Sequence, residues 1–234
     1  MRRLSKDQIS TSLQVVGLII LFGFTAYKGN EEAKLKSLSK FSIVTDQDPA
    51  VQLRTNMSQL WEEQVTWTRN IILCLVDDLP GKEQAVNELE ENNIDIGNAI
   101  KPYYGNDAGN KLSELLNKHN LIYTEVINAA KSGKNDLFND ANKKWHLNAN
   151  EISGFFSKVN PDWSFADMKQ MMNKQLELTN DQMQQRIQKN YDADVIAFQK
   201  VHDEVLKMSF MLSDGIIKQF PEKFKTTANG TASK

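Results

Sequence analysis

The sequence has little of what usually holds together a disulfide-rich domain or a metal cluster. It contains one cysteine, Cys74, which excludes an intrachain disulfide and a thiolate metal cluster. Alternating runs of Val, Ile and Thr, which would predict strands, are missing. Prolines are few, and all of them lie where a helix is expected to begin or end: Pro49, Pro80, Pro102, Pro161 and Pro221. These absences favour an all-α protein in which Cys74 is a small buried hydrophobe.

The chain also lacks an excess of charge of one sign and the short motifs of common enzymes. Its 28 basic and 30 acidic residues are interspersed, so no basic stripe predicts a nucleic-acid partner. Patterns for zinc proteases, haem attachment, nucleotide binding and nucleophilic hydrolases are absent. A di-iron carboxylate bundle needs Glu-x-x-His on two helices, and no histidine here has Glu three residues before it. We therefore predict no catalytic residue, and an enzyme is the less favoured class.

One hydrophobic run, at residues 13–27, follows a short basic N-terminal segment. A helix that spans a membrane needs about 20 residues, and residues 9–27 come close to that length. Phe24 stands where a signal peptidase would need a small residue, which favours an uncleaved anchor over a removed signal peptide or a buried core helix. We expect a single-pass membrane anchor at residues 1–28 that contacts the lipid bilayer through residues 9–27.

The orientation of this anchor is not decided by charge, because lysines on the far side balance the basic residues before it. A short basic tail followed by the first hydrophobic segment usually stays inside the cell, so we expect the rest of the chain on the extracytoplasmic side. The expected order is a polar stalk at residues 29–47, a helical bundle domain at 48–221 and a disordered tail at 222–234.

Helical periodicity dominates the bundle region. Apolar residues at three- and four-residue spacing predict long helices, and Asp48 with Pro49 forms a typical helix start. The expected long helices lie at residues 48–79, 108–132, 135–158, from 164 onward, and 191–220. A short helix at 82–91 is expected to break at Asn92 and Asn93, and residues 94–109 are expected to form a turn-rich connection or a lid. We predict an all-α, up-and-down bundle of four to five long helices plus a short helix, preceded by the transmembrane helix.

Polar residues interrupt the apolar faces of these helices at five positions: Gln64, His119, Asn148, Gln175 and His202. Burial of an amide or imidazole without a partner costs about 1 to 3 kcal/mol, so these side chains should meet each other, water or a ligand. The simplest interpretation is a hydrogen-bonded core network that fixes helix register. A second is a small-ligand or metal site with His119 and His202 as metal ligands. A third is that one or more of the five faces solvent.

Further candidates come from aromatic and charged residues. Candidate pocket-lining residues are Trp61, Trp67, Arg69 and Trp145. Glu62 and Glu63 could act with Arg69 as acid, base and anion clamp, but a solvated face with Arg69 paired to a glutamate is the simpler interpretation. The methionines after residue 164 fit core packing better than copper binding. No cofactor is predicted beyond the metal ion considered at His119 and His202.

A resemblance to a known family rests on five runs: LWEEQVTWTR at 60–69, DIGNAIKPYYG at 95–105, AAKSG at 129–133, WHLNANEISGFF at 145–156 and MLSDGIIKQFP at 211–221. As a set they resemble an uncharacterised family of small helical proteins from Bacillus-like and Clostridium-like bacteria. The similarity covers about residues 58–224 and leaves the anchor outside. Such sequences sometimes bear labels such as glycosyltransferase or acetylglutamate kinase, for which this chain has no nucleotide or sugar motif.

The resemblance implies a helical fold with a cluster of imidazoles. In that family histidine is common at the positions of Gln64 and Gln175, which would place up to four imidazoles near His119 and His202. Such a cluster resembles a metal or haem-type site. This chain departs from the pattern at both glutamines, and the departure puts metal binding in doubt here.

Taken together, the sequence favours a membrane-tethered bundle outside the cytoplasm that binds an unknown protein partner or small-molecule ligand. Binding would use the polar core or residues 94–109. The alternative from another class is a metal-binding or redox bundle that uses His119 and His202.

The membrane anchor generates the first prediction. The full chain should sediment with membranes and resist carbonate extraction, whereas a variant that lacks residues 1–28 should be found in the soluble fraction. Protease added to intact spheroplasts should cut the full chain in the stalk, because we expect the stalk outside the cytoplasm. Recovery of the full chain in the soluble fraction, or complete protection from the protease, would contradict the anchor or its orientation.

Overall fold

The computed structural model describes residues 48–225. The predicted anchor at 1–28, the stalk at 29–47 and residues 226–234 of the predicted tail lie outside this range. Every regular element from residue 48 to residue 225 is helical. None of the helices in this range has both the length and the apolar content that a membrane crossing requires.

Five long helices and one short 3-10 helix follow each other along the described chain. They are α1 (Pro49–Val76), α2 (Lys82–Lys131), α3 (Asn135–Val159), α4 (Phe165–Ile187), α5 (Tyr191–Gln219) and the 3-10 helix Pro221–Phe224. Each long helix packs against the next one in sequence, and α5 packs back against α1, so the bundle is closed. The prediction of an all-α helical bundle is confirmed for these residues.

Local signals in the sequence set several helix ends. The Asp48 side chain accepts a hydrogen bond from the Ala50 backbone N–H at 2.9 Å, which caps α1 at the position that Pro49 also favours. Ser164 caps α4 in the same way: its Oγ accepts from the Asp167 N–H and donates to the Asp167 carboxylate. Gly133, with φ of 68°, lies just after α2 in the left-handed conformation that ends many helices.

Helix α2 contains a sharp turn at Gly105, whose φ of 85° and ψ of 170° are not helical. Residues 82–104 fold back along residues 106–131, and the amide of Asn93 donates to Asn117 Oδ1 across this hairpin at 2.6 Å. The predicted new helix start after the turn is therefore confirmed. The predicted break at Asn92 and Asn93 was wrong, because both side chains are buried and have hydrogen-bond partners that the helical conformation brings within reach.

The apolar faces are mostly those expected, with exceptions at helix ends. The apolar periodicity of the sequence places Leu79, Phe165 and Val195 on faces expected to be buried, but each is about half exposed. Leu79 lies beyond the end of α1, Phe165 is the first residue of α4, and Val195 begins the second turn of α5, so all three lie near helix ends. The centres of the predicted faces, such as Met57 and Trp61 on α1, are buried as expected.

The hairpin in α2 generates the second prediction. Its two arms meet at Gly97 and Gly109, and a Cβ atom added to Gly97 would overlap Ser113 Oγ and the Gly109 carbonyl oxygen. The change Gly97→Ala should therefore lower the free energy of unfolding by about 1 to 3 kcal/mol, as overpacking does, when measured by urea denaturation. The control Gly154→Ala meets only Phe165 at 4.0 Å, so it should be neutral or gain up to about 1 kcal/mol. Equal effects of both changes would contradict the close crossing.

Candidate functional site

A cavity of about 40 Å³ lies inside the bundle, and all five long helices line it. Its polar and aromatic lining residues are Trp61, Gln64 and Thr68 on α1, His119, Asn120 and Tyr123 on α2, Trp145 on α3, and Gln175 and Thr179 on α4. Its aliphatic and thioether lining residues are Val65, Leu116, Met172, Val201, Val205 and Met208. The cavity therefore combines an apolar wall with polar groups from separate helices, as small-molecule sites do.

His119 is held in one orientation and one tautomer. Its Nδ1 lies 2.7 Å from Asn148 Oδ1, while the Asn148 amide nitrogen donates to the Leu115 carbonyl oxygen at 3.3 Å. Because the amide nitrogen is used in this way, Oδ1 faces the ring, and an oxygen acceptor requires His119 to carry its proton on Nδ1. The other ring nitrogen, Nε2, then has a free lone pair.

Burial also keeps His119 uncharged. The side chain is enclosed by the core and packs against Trp145, with ring centroids 5.3 Å apart. Loss of solvation in this setting lowers the pKa of His119 to about 4, although the hydrogen bond to Asn148 acts in the opposite direction. The imidazole is therefore neutral at pH 7, and its Nε2 is a lone-pair donor rather than an acid.

A chain of amides joins α1 to α2 beside the cavity. Gln64 Oε1 accepts from Asn92 Nδ2 at 3.1 Å, and Gln64 Nε2 donates to Asn120 Oδ1 at 3.4 Å. Asn92 Nδ2 also donates to the Leu60 carbonyl oxygen at 3.0 Å. Gln64 is thus fully engaged in a structural network, and Asn120 presents the far end of that network to the cavity.

Helix α4 supplies a second free acceptor in the cavity wall, the side-chain oxygen of Gln175. Gln175 Nε2 donates to Thr179 Oγ1 at 3.1 Å, which leaves Gln175 Oε1 without a partner in the protein. Tyr123 stacks on Trp145 with centroids 4.5 Å apart, and its hydroxyl donates to the Thr179 carbonyl oxygen at 3.2 Å. The Tyr123 hydroxyl and the Thr179 side chain are therefore used within the core, and Gln175 keeps a free oxygen.

Buried polar atoms without a partner in the protein occur on six residues elsewhere between residues 48 and 225, and also on residues that line the cavity. Five of these residues carry one such atom each: Trp61 Nε1, His119 Nε2, Asn120 Nδ2, Trp145 Nε1 and Gln175 Oε1. Three of them are N–H donors and two are acceptors. An unpaired buried polar group costs about 1 to 3 kcal/mol, so the five together make this cavity a place where a polar guest is strongly favoured.

The structure brings together most, not all, of the predicted site residues. Gln64, His119, Gln175, Trp61 and Trp145 line the cavity. Asn148 lies behind His119 and orients it. Trp67 and Arg69 do not line it.

His202 also stands apart from the cavity. It lies at the surface between α1 and α5, with its Nε2 3.6 Å from the Glu62 carboxylate and more than a third of its side chain exposed. The structure therefore does not unite His119 and His202 in one metal site. Between residues 48 and 225, no group of three or more His, Cys, Asp or Glu side chains is arranged to hold a metal.

Arg69 has a structural partner that the sequence did not suggest. It pairs with the fully buried Asp194 through two hydrogen bonds of 2.9 and 3.1 Å, rather than with a glutamate on its own helix. Arg186 donates to the same carboxylate and to Asp77, so the four side chains join α4 and α5 to the C-terminal end of α1. Arg69 therefore stabilises the fold and does not line the cavity.

Asn120 and Thr179 are cavity residues that sequence reasoning missed. Asn120 follows His119 directly and lies off the apolar stripe, so periodicity alone indicates a solvated position. Thr179 lies one turn after Gln175 on α4, and this i, i+4 spacing was the available signal.

A surface groove lies outside the cavity between α4 and α5. Its volume is about 890 Å³, and charged residues of both signs line it above methionine side chains, among them Met171, Met208 and Met211. Met208 also lines the internal cavity, so this residue belongs to both surfaces.

Comparisons with protein-family models, with curated proteins and with solved structures found no match to this chain. The resemblance to an uncharacterised bacterial family therefore stays a prediction.

The buried imidazole generates the third prediction. An unfolded histidine has a pKa near 6.5, and the pKa of about 4 in the folded chain means that the unfolded state takes up the proton first as pH falls. The stability due to neutral His119 is therefore complete above pH 6.5 and is lost between pH 6.5 and 4. The loss over this window should be about 3 kcal/mol.

The measurement is urea denaturation at a series of pH values for the parent chain and for His119→Asn. Asparagine places an amide N–H near the position of Nδ1 and keeps a donor for Asn148, but it does not titrate. The difference in unfolding free energy between the two chains should change between pH 6.5 and 4. A constant difference across this window would show that His119 is not buried in the neutral form.

Proposed function

We propose that the protein is a binding module that holds a small ligand inside its helical bundle, at the cavity between Trp61, His119 and Gln175. The observation that carries this proposal is the convergence of unpartnered buried polar atoms from four helices on one cavity. Each unpaired buried group costs free energy, so five of them on the wall of one cavity favour a ligand that pairs with them.

The size of the cavity limits the ligand. A volume of 10 to 15 Å³ on this measure is about the space needed for one water, whereas pockets for drug-sized molecules measure about 300 to 1,000 Å³. At about 40 Å³, the cavity suits a single ion or a molecule of a few non-hydrogen atoms. A haem of the kind that the family resemblance implied does not fit this volume.

The chemistry of the wall limits it further. None of the lining residues is an acid, a lysine or an arginine, and His119 is neutral at pH 7. An anion would meet no compensating positive charge, and burial of an isolated charge is costly. The wall, with three free N–H donors and two free acceptors, therefore favours a neutral polar molecule, and a cation would depend on the lone pairs of His119 Nε2 and Gln175 Oε1. Metal binding is the alternative function. Its support is the hydrogen bond from His119 to Asn148, which orients the imidazole and leaves the lone pair of Nε2 free.

We infer further that a membrane tether carries this module on the extracytoplasmic side. The support is the hydrophobic run at residues 13–27 after a basic N-terminal segment, followed by a polar stalk that ends where α1 begins. A tethered binding domain outside the cytoplasm would meet ligands that diffuse to the cell surface. The fractionation and protease experiment above tests this part.

The cavity itself generates the fourth prediction. Of the four tryptophans, Trp61 and Trp145 line the cavity, so the double change Trp67→Phe and Trp163→Phe leaves fluorescence only from the cavity wall. Titration of this variant with millimolar acetamide, acetonitrile and methanol, as neutral polar probes, should change the emission in a saturable way for at least one of them. The same probe should raise the melting temperature, since it binds the folded state alone.

The control is Val205→Leu, which adds volume to the cavity wall, with folding checked by circular dichroism. Both responses should be lost in this variant. Equal responses in the two proteins would show binding outside the cavity. If none of the three probes changes the emission, and no metal binds in the titration below, the proposed function is overturned.

A further inference from the structure

The internal cavity brings a histidine and two methionines together from three helices. His119 lies on α2, Met172 on α4 and Met208 on α5, and all three side chains line the same space of about 40 Å³. Each of them is less than a tenth exposed. Methionine often serves only to fill gaps in a core, as expected from the sequence. Here two of the buried methionines share a cavity with an imidazole that has a free lone pair.

We propose that this cavity binds one soft monovalent metal ion of the Cu(I) class, with His119 Nε2 and the thioether sulfurs of Met172 and Met208 as ligands. The proposal rests on the proposed function, because it names the ligand class of the same cavity. It concerns binding alone and includes no redox step.

The set of donors selects the metal. Thioether and imidazole ligands suit Cu(I), whereas Mg²⁺ and Ca²⁺ need oxygen ligands. Structural zinc sites use thiolate or several imidazoles, and the cavity wall offers one imidazole and no thiolate or carboxylate. Because every donor here is neutral, a divalent ion would keep two uncompensated charges in an apolar core. A monovalent ion reduces that cost.

The surroundings prepare the site for a cation. Asn148 holds the imidazole in the tautomer that presents Nε2, which is the usual role of a residue behind a metal-bound histidine. The aromatic rings of Trp61, Tyr123 and Trp145 also line the cavity and would help to enclose a bound ion.

The test is a titration of the full chain in detergent with Cu(I), kept reduced by ascorbate and competed by the chromogenic chelator bicinchoninate. Cys74 is half-buried and is itself a soft ligand, so all proteins carry Cys74→Ser. We expect one equivalent of Cu(I) per chain, withheld from the chelator, together with quenching of the emission of Trp61 and Trp145 in the Trp67→Phe and Trp163→Phe background.

Matched methionine variants locate the ion. Met172→Leu and Met208→Leu conserve volume but remove one sulfur each, and each should weaken Cu(I) binding by about tenfold or more, the least that disturbance of a metal's supporting shell usually costs. Met168→Leu and Met183→Leu remove equally buried sulfurs that do not line the cavity, so they should leave the affinity unchanged. His119→Asn should abolish binding and the fluorescence response.

The outcomes separate this inference from the proposed function. If Cu(I) is not withheld from the chelator, or if Met168→Leu and Met183→Leu weaken it as much as the cavity variants do, the metal assignment is overturned. Saturable binding of a neutral probe in the same cavity would then still support a small-ligand module. If neither the neutral probes nor Cu(I) binds, both proposals are wrong.

Discussion

The hydrogen bond between His119 and Asn148 is the contact on which the chemistry of this core depends. It fixes which imidazole nitrogen carries the proton, and it therefore decides that a lone pair, rather than an N–H, is left for the cavity. Burial keeps the ring neutral, because the charged form would lose its hydration. Without Asn148 the ring could rotate or change tautomer, and the donor set of the cavity would change with it. A single amide on α3 thus determines what α2 can offer a ligand.

The remaining polar residues divide into those that stabilise the bundle and those that leave an atom free. Both amide atoms of Gln64 form hydrogen bonds, one with Asn92 and one with Asn120, so Gln64 sets the register of α1 against α2. Arg69 and Asp194 do the same between α1 and α5. Asn120 and Gln175, in contrast, are each bound at one end only, and their other ends have no protein partner. Asn92 Oδ1 and Asn93 Oδ1 are also unpartnered but do not line the cavity, so the site is defined by unpartnered atoms on residues that share one cavity wall.

Periodicity predicted the helices and most of the cavity wall, since a polar residue in the middle of an apolar stripe must be buried with it. Gln64 and His119 were found in this way. The prediction that His202 lies in the core was wrong. His202 lies at the edge of its apolar stripe, where small differences in how α5 packs on α1 decide whether a side chain is buried or exposed. The predicted helix break at Asn92 was wrong because asparagine can either end a helix or form a buried amide hydrogen bond. Only the hydrogen bond to Gln64 in the structure shows that the second applies. The burial of Asp194 was beyond sequence reasoning, because its partner Arg69 is 125 residues away.

The side chain of Met208 separates the internal cavity from the surface groove. Met208 lines the internal cavity and also belongs to the groove between α4 and α5, so at this point the wall of the bundle is a single side chain thick. Methionine is unbranched and has three rotatable bonds, which makes it one of the most easily rearranged side chains in a core. A change of the Met208 rotamer would therefore alter the wall between the cavity and bulk water while the helices stay intact.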